Sequence, residues 1–311
     1  MFKIVRYTPE WKAAWNQYVA TSRNGTFLFK RDYMDYHSDR FCDHSLLFLL
    51  EEKVFAIMPA HEQQETFCSH LGLTYGGLVV DNHVTAVDTL QIFSELNDYL
   101  LKEGFRRVIY KPVPHIYHHA PAEEDLYALF WQCKARLIKR DISSAVNRLH
   151  PVPWRKINRH QLSWVHRHDI EVHADDRFEL FWPILEANLS DRHHAHPVHT
   201  LEEITLLKSR FPENIVQYNA YVDGEIAGGA TVYLTPQVVH GQYSATNQLG
   251  KQMKVMEAIY ERLLNDHPEV PFVDFGRSTT EHGSQLNEGL ISHKEGHGGR
   301  AVCYDTYEWE L

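Results

Sequence analysis

The stretch IVQYNAYVDGEIAGGATVYL, residues 215–234, contains two strand-like apolar runs on either side of an Asp223-Gly224 pair. Asp-Gly between two such runs is a strong signal for a two-residue hairpin turn, because both positions can adopt a positive φ. A third apolar run follows at 238–244, and a helix with apolar residues at helical spacing leads to a last run at 271–276. The sequence therefore predicts an α/β unit with a mixed sheet in this half of the chain.

The same order of elements is predicted in the first half of the chain. Two runs joined by a charged turn, a third run, a helix and a final run occupy residues 45–50, 54–60, 73–80, 87–100 and 107–112. Corresponding positions have a nearly constant separation, as between Val54 and Ile226 or between Val108 and Val273. A duplicated unit explains this order, and a chance match between two common motifs is the alternative.

The boundary between the halves is predicted at the connector 150–154, which contains two prolines and follows a long predicted strand. A length of 311 residues is natural for two domains. We therefore expect two tandem domains, residues 1–150 and residues 151–311.

The bulk composition disfavours several classes of protein. The formal net charge of −10 disfavours general binding to DNA or RNA, because phosphate affinity comes from clustered Lys and Arg. No apolar run approaches the ~18–20 residues of a membrane helix, and the first residues lack the apolar segment of a signal peptide. We therefore expect a cytoplasmic protein without a membrane span. Its four widely spaced cysteines are expected to be reduced core residues, namely Cys42, Cys68, Cys133 and Cys303.

The last predicted strand of the second half ends in the run VDFGRST, residues 273–279, and a closing strand follows at 301–309. This segment resembles the C-terminal signature of Fem-type peptidyltransferases. NGTFLF, residues 24–29, is similar to a segment that precedes a helix in the same superfamily. The order of elements in each half resembles the GNAT N-acetyltransferase fold. The resemblance implies two tandem GNAT-like domains of α/β class, with mixed α+β sheets, and an acyltransferase activity. Asp-Phe-Gly also occurs in kinases, but the chain has no glycine-rich loop or His-Arg-Asp segment.

The resemblance also implies a site for the acyl donor. In acetyltransferase-type folds the central strands splay apart, and the donor pyrophosphate binds at the N-terminus of the next helix, where N–H groups and the helix dipole favour anions. The matching loop, residues 244–252, departs from the family's glycine-rich signature but has N-capping side chains, one glycine and one lysine. The expected donor is acetyl-CoA, and its expected contacts are Ser244, Ala245, Asn247, Gly250, Lys251 and Gln252.

Polar residues follow the last predicted strand of the second half, where α/β folds place ligand sites. Arg277 can hold a carboxylate or phosphate through two parallel hydrogen bonds, and Ser278 is a second candidate for substrate binding. Asp274 can take a proton during catalysis or orient Arg277. An Asp–Arg pair that only closes the end of the strand is the alternative.

Residues 191–200 form the densest polar cluster, between two predicted helices. His193 and His199 are candidates for a general base, because the pKa of histidine suits neutral pH, and Arg192 is a candidate for substrate binding. A hydrated loop is one alternative. A metal shared by two histidines is another, but no partner with zinc-like spacing occurs elsewhere, so no metal is expected. Thr200 begins a Thr-Leu-Glu-Glu capping box, which predicts a helix start.

The first half ends its equivalent strand with Tyr110 and Lys111. In Fem-type relatives the first half helps to hold the acceptor, so the resemblance makes these two residues candidates for acceptor binding. We expect a cleft between the halves, lined by Lys111, the loop 192–199 and the strand end 274–278.

Three functions fit the sequence. The first is transfer of an acetyl or similar acyl group from coenzyme A to an amine or hydroxyl of a small molecule, sugar, peptide or other cell-envelope precursor. The second is tRNA-dependent aminoacyl transfer to a peptidoglycan precursor. The acidic charge and the lack of a long helical arm make a tRNA partner unexpected. The third is a non-catalytic glycan- or peptide-binding module on a degenerate transferase fold.

Overall fold

The structure is a computed structural model, and it describes residues 2–193, 196–280 and 283–311. Up to the fourth helix its elements are β1 (Lys3–Arg6), α1 (Lys12–Thr21), α2 (Arg31–Met34), β2 (Cys42–Asp43), β3 (Leu46–Leu50), β4 (Lys53–Met58), β5 (His61–Gln63), β6 (Thr66–Cys68), β7 (Val79–Val80), α3 (Ala86–Lys102), β8 (Arg107–Tyr110) and α4 (Glu124–Trp131). The others are β9 (Arg136–Asn147), α5 (Lys156–Val165), β10 (Ile170–Ala174), α6 (Phe178–His193), α7 (Leu201–Arg210), β11 (Ile215–Val222), β12 (Glu225–Leu234), β13 (Val238–Thr246), α8 (Gln248–Gln252), α9 (Val255–Asn265), β14 (Phe272–Arg277), β15 (Thr279–Thr280), β16 (Gln285–Leu286), α10 (Glu288–Gly296) and β17 (Arg300–Glu310).

The chain divides into two compact units. The first unit contains residues 1–142, 279–285 and 303–311. The second unit contains residues 143–278 and 286–302. The divisions therefore fall inside β9 and inside β17.

The first unit has an antiparallel sheet in the order β1-β3-β4-β7. Helix α3 begins at the N-cap Thr85, whose side chain forms a capping box with Asp88. The helix ends before Gly104, which has the positive φ of +89° that favours glycine at this position. One face of α3 joins the core of this unit through Ile92, Phe93, Leu96 and Leu100.

The second unit has the strand order β10-β11-β12-β13-β14-β9. The predicted turn between β11 and β12 is confirmed, since Asp223 and Gly224 have φ values of +50° and +80°. Its core places the apolar face of α9 against the sheet, through residues such as Val255, Ile259 and Leu263. The capping box at Thr200 is also confirmed, because its side chain accepts a hydrogen bond from the Glu203 N–H.

The predicted duplication of element order is confirmed, because the strand order β1-β3-β4-β7 of the first unit corresponds to the order β10-β11-β12-β13 of the second unit. The closing strands, however, are exchanged between the sequence halves. In the first unit β8 pairs with the chain's last strand, with Tyr110 opposite Tyr307. In the second unit β14 pairs with the end of β9, with Val273 opposite Val146. A single division at residue 150 therefore does not describe the compact units.

Local predictions fail where apolar residues lie in loops. The run 73–80 was expected to be a strand, but only Val79–Val80 are. Tyr75 lies in a loop, where its hydroxyl donates to Thr26 Oγ1 over 3.1 Å. The predicted loop 245–251 contains the short helix α8. Of the four free cysteines, Cys68 and Cys133 are buried as expected, whereas Cys42 and Cys303 are exposed.

Two structural features are absent from the described residues. No helix in this part of the chain is both long enough and apolar enough to cross a membrane. No group of three or more His, Cys, Asp or Glu side chains within the same ranges is arranged to hold a metal ion.

Candidate functional site

The second unit contains a gap between two parallel strands. Strands β13 and β14 pair only from Val238–His240 to Phe272–Asp274. Beyond these pairs β13 continues to Thr246 and β14 to Arg277, so their ends diverge. Gly276 has a φ of +80° and lies beyond the paired residues of β14. The backbone groups of the diverging ends are thus not used between these two strands.

A pocket of about 620 Å³ lies at this divergence. Its walls come from α6, β13, β14 and α10, all of which belong to the second unit. Apolar and polar side chains share the lining, as is common in ligand sites. The lining residues are Leu185, Asn188, Leu189, Gly241, Gln242, Tyr243, Ser244, Phe275, Gly276, Arg277, Asn287, Gly289, Leu290, His293 and Lys294.

Lys294 is the buried cation of this pocket and is only 4% exposed. Its Nζ donates hydrogen bonds to the carbonyl oxygens of Gly276, over 2.7 Å, and Arg277, over 2.8 Å. Burial lowers the pKa of Lys294 to about 8, against the opposing effect of Asp274. An ammonium has three N–H donors, so one remains for a ligand beside the two that hold the strand end.

Asp274 is fully buried below the pocket. Its Oδ1 accepts hydrogen bonds from the Ser143 hydroxyl and, over 3.0 Å, from the Gly276 N–H. Its Oδ2 accepts from His240 Nδ1 over 3.0 Å. These contacts join β9, β13 and β14, so Asp274 fixes the geometry from which the two strands diverge. Asp274 is absent from the pocket lining, and its predicted part in catalysis stays a prediction.

The two other predicted residues of this strand end differ in their surroundings. Arg277 is exposed and lines the pocket. Ser278 is 1% exposed, and its hydroxyl has no hydrogen-bond partner among the described residues. The Ser278 carbonyl oxygen accepts from the N–H of Asn287, the N-cap of α10, over 2.9 Å. The backbone of Ser278 therefore holds the start of the helix that carries Lys294.

Of the predicted bases, only the side chain of His199 lies in the described part of the chain. The side chains of Arg192 and His193, at the end of α6, lie outside it. His199 is 4% exposed, and its Nδ1 lies 2.7 Å from the Tyr243 hydroxyl. The same hydroxyl accepts the backbone N–H of His199 over 3.3 Å, so it can donate its own proton to Nδ1. His199 therefore supports Tyr243, which lines the pocket, and one of its ring nitrogens is already used.

The predicted donor loop 244–252 is divided between the pocket and α8. Ser244 lines the pocket, whereas Asn247 is the N-cap of α8. The Asn247 side chain accepts from the Gly250 N–H over 2.9 Å, and its backbone oxygen accepts from the Lys251 N–H over 3.1 Å. A Cβ on Gly250 would lie 2.1 Å from the Ala227 oxygen, so glycine is required for this close approach. Ala245 is buried, and Lys251 and Gln252 are exposed.

The predicted acceptor residues Tyr110 and Lys111 belong to the first unit. Tyr110 is fully buried, and its hydroxyl donates to Asp125 Oδ2 and accepts from the Leu78 N–H, both over 2.7 Å. Lys111 Nζ donates to the carbonyl oxygen of Leu73. These contacts stabilise the first unit.

Among the pocket residues that sequence reasoning missed are Tyr243, His293 and Lys294. His293 and Lys294 lie on α10, the first helix after the Asp-Phe-Gly strand, within the segment that resembles the Fem-type signature. A signal existed in that position, because a charged residue inside a short helix directly after a ligand-binding strand end is a candidate for the same site.

Comparisons with known proteins bear on the fold. No family model matches the chain, and no curated protein matches it. Among solved structures, FemX has a TM-score of 0.68 at 9% identity, over 99% of this chain and 97% of that one. L-PGS from Bacillus licheniformis has a TM-score of 0.61 at 11% identity, over 96% and 91%. A tandem GNAT protein from the clavulanic acid biosynthesis pathway has 0.54 at 13% identity, over 100% and 98%. The predicted tandem GNAT-like fold is therefore confirmed.

Proposed function

We propose that the chain is an acyltransferase, which moves an acyl group from coenzyme A to an amine or hydroxyl of a small-molecule, sugar or cell-envelope precursor. The observation that carries the proposal is the divergence of β13 and β14 with a pocket at the gap. In the acetyltransferase-type folds that the sequence resembles, the central strands splay apart and the acyl donor binds beside them. Backbone N–H and C=O groups of β13 that are not paired with β14 can bind an extended amide chain.

Lys294 supplies the electrostatic part of the proposed reaction. Attack of an amine on the donor carbonyl places negative charge on the carbonyl oxygen, and a fixed donor at that oxygen lowers the barrier. The third N–H of the Lys294 ammonium is held in place by the other two, which bind Gly276 and Arg277. Its pKa of about 8 keeps it mostly protonated at pH 7.

Arg277 supplies recognition in the proposed site. It lines the same pocket as Lys294 and lies at the end of β14. A guanidinium binds carboxylates and phosphates through paired hydrogen bonds. We therefore assign to Arg277 the acidic part of a substrate, and the acyl-transfer chemistry to the neighbouring Lys294.

One observation argues against coenzyme A at α8 and so leaves room for a second donor, an aminoacyl-tRNA, as used by the Fem-type enzymes that the sequence resembles. The Asn247 side chain occupies the Gly250 N–H, which a pyrophosphate at the start of α8 would need. Helix α8 has only five residues, so its dipole is small. Coenzyme A can bind through this loop only if the Asn247 side chain moves. An acyl donor that binds in the strand gap alone needs no such movement.

A pocket-filling variant tests the proposal. Gly289 lines the pocket, and a Cβ there would meet only Asn287 Oδ1, at 3.8 Å. A Cβ at position 289 therefore has room, so Gly289→Trp should place its indole at the pocket, and Gly289→Ala is the matched control. A donor at 100 times its Kd should stabilise the wild type by about 2.7 kcal/mol. The shift in Tm should persist in Gly289→Ala and vanish in Gly289→Trp.

The same titration separates the donors. A shift with acetyl-CoA, together with acetyl transfer to amines, supports the first donor. A shift with charged tRNA alone supports the second. Binding of sugars or peptides without transfer from either donor would contradict the proposal and favour the non-catalytic module.

A further inference from the structure

His293 is a titratable side chain in the pocket that the proposed reaction has not yet used. It lies on α10 beside Lys294 and is partly buried. Its ring packs against the rings of Tyr260 on α9 and His297 on α10, with centroid distances of 5.6 Å and 4.6 Å. Since it also lines the pocket, one side of the ring is packed and another faces the cavity.

The ring nitrogens of His293 remain open to a ligand. Within the described residues, neither nitrogen makes a hydrogen bond, and neither is among the buried side-chain atoms that are sealed from solvent without a partner. His199 differs, because its Nδ1 lies 2.7 Å from the Tyr243 hydroxyl. His293 is therefore the histidine whose nitrogen can reach a molecule in the pocket.

The position of His293 is fixed from behind. His297 Nδ1 donates to the backbone oxygen of His293 over 2.8 Å. This contact makes His297 Nε2 the acceptor, and the Asn158 amide lies 3.3 Å from it. Asn158 belongs to α5, so α10 is tied to a second helix directly at the turn that carries His293. A base that is held in this way keeps its geometry during the reaction.

The protonation state of His293 suits a base. Burial and the adjacent Lys294 both lower the pKa of His293 below its usual value of 6.5. The titratable and charged groups around it are Lys294 and His297 on α10, Glu257 and Tyr260 on α9, and Arg277 on β14. The pKa of His297 is lowered to about 4, so this neighbour is neutral as well. At pH 7 the imidazole of His293 is therefore neutral and can accept a proton.

We propose that His293 is the general base that deprotonates the acceptor amine or hydroxyl during acyl transfer in this pocket. The inference rests on the proposed function. As the acceptor nitrogen or oxygen forms its bond to the acyl carbon, its proton passes to a ring nitrogen of His293. The bond from the acyl carbon to the carrier sulfur or oxygen then breaks, and the carrier leaves with the electron pair. The imidazolium returns its proton to the leaving group.

The pH profile expected for the wild type has two limbs. Activity needs neutral His293, so kcat/KM should fall as the pH drops through a value below 6.5. Activity also needs the protonated Lys294, so it should fall as the pH rises through about 8. We assign the acidic limb to His293 and the basic limb to Lys294.

His293→Gln is the test, with His293→Asn as a second variant and His168→Gln as the control. His168 is an exposed histidine of the same unit that does not line this pocket. The His293 variants should lose about 10²–10⁴-fold in kcat, keep KM, and lose the acidic limb of the profile. Hydroxylamine, an amine that is neutral at pH 7, should lose much less in the same variants.

The outcomes separate this inference from the function on which it rests. Absence of transfer from both donors in the wild type overturns the proposed function and the base together. Transfer that is unchanged in the folded His293 variants, or an acidic limb that persists in them, overturns the base alone. An equal loss with hydroxylamine would assign His293 to substrate positioning and would likewise overturn the base.

Discussion

The two units share one strand order but differ in what lies beside β8 in the first unit and beside β14 in the second unit. In the second unit β14 lies next to β13, and the two diverge after three residue pairs. In the first unit β8 pairs in parallel with β6, from Thr66–Cys68 to Arg107–Ile109. Strand β6 belongs to an additional hairpin with β5. The hairpin occupies the place beside β8, where the second unit has its gap.

The residues at the ends of β8 and β14 differ in the same way. Tyr110, at the end of β8, fills the first unit with a buried ring, and a Cβ on Gly77 would lie 2.7 Å from its hydroxyl. Gly276 and Arg277, at the end of β14, line a pocket instead. A lysine holds backbone oxygens near each strand end, Lys111 in the first unit and Lys294 in the second. The same fold can therefore form a closed structural unit or a unit with an open site. Which of the two forms depends on what is inserted beside β8 in the first unit or beside β14 in the second.

Among the variants that compare the two units, removal of the lysine at the open strand end should have the largest effect. Lys294→Met deletes the donor proposed for the carbonyl oxygen, and loss of one such donor typically costs about 10²–10³-fold in kcat. Lys102→Met, at the exposed end of α3, is the control and should have no effect. Steady-state kinetics on variants of verified Tm measure this. A loss of less than about threefold in Lys294→Met would show that Lys294 only supports the strand end.

Arg277 should give the next largest effect, on binding. Hydrogen bonds to charged groups contribute about 1.5–3 kcal/mol, so Arg277→Ala should raise KM for an acidic substrate about 10–100-fold. If the contact is equal in ground and transition states, kcat should not change. Arg106→Ala, an exposed arginine of the first unit, is the control. A fall in kcat with constant KM would move Arg277 from recognition to chemistry.

The sequence predicted the parts of the fold that depend on local patterns. The turn at Asp223 and the capping box at Thr200 are each decided within a few residues, and both are present. The exchange of β9 and β17 was not predictable in this way. Strand pairing over long separations depends on which edge is free, and that information is not local.

The site was predicted only in part for the same reason. Arg277 and Ser244, which line the pocket, lie near the ends of strands that could be recognised in the sequence. Tyr110 ends an equally recognisable strand, but its ring is buried against Phe93 and Trp309, and its hydroxyl is bonded to Asp125. Asp125 itself shows the effect of this burial, which raises the pKa of its carboxyl to about 7. Burial of this kind depends on the whole unit, so a strand end alone does not reveal it.

The closed unit provides the third prediction, on stability. Tyr110→Phe leaves the Leu78 N–H and Asp125 buried without their partner, which should cost about 1–3 kcal/mol of unfolding free energy. Denaturant unfolding measures it, and transfer activity should remain. Tyr243→Phe is the matched change in the open unit and removes the partner of His199 Nδ1. If Tyr110→Phe is neutral in stability but raises KM, the role in acceptor binding that the sequence predicted for Tyr110 is supported instead.

The smallest effect on stability is expected at the start of α8, and the same variant distinguishes between the two donors. Asn247→Ala removes the N-cap that holds the Gly250 N–H, which typically costs about 0.5–2 kcal/mol. It also frees this N–H for an anion. If coenzyme A places its pyrophosphate there, Asn247→Ala should bind coenzyme A more tightly, while the variant should be less stable in its absence. Paired thermal melts and binding isotherms measure both effects.

Asn24→Ala is the control, because Asn24 is a buried amide of the first unit that binds Leu78 and Val80. It should lower stability and leave binding unchanged. Weaker coenzyme A binding in Asn247→Ala would show that the donor uses the Asn247 side chain itself. Unchanged binding would place the donor in the strand gap alone, since the gap opens independently of α8.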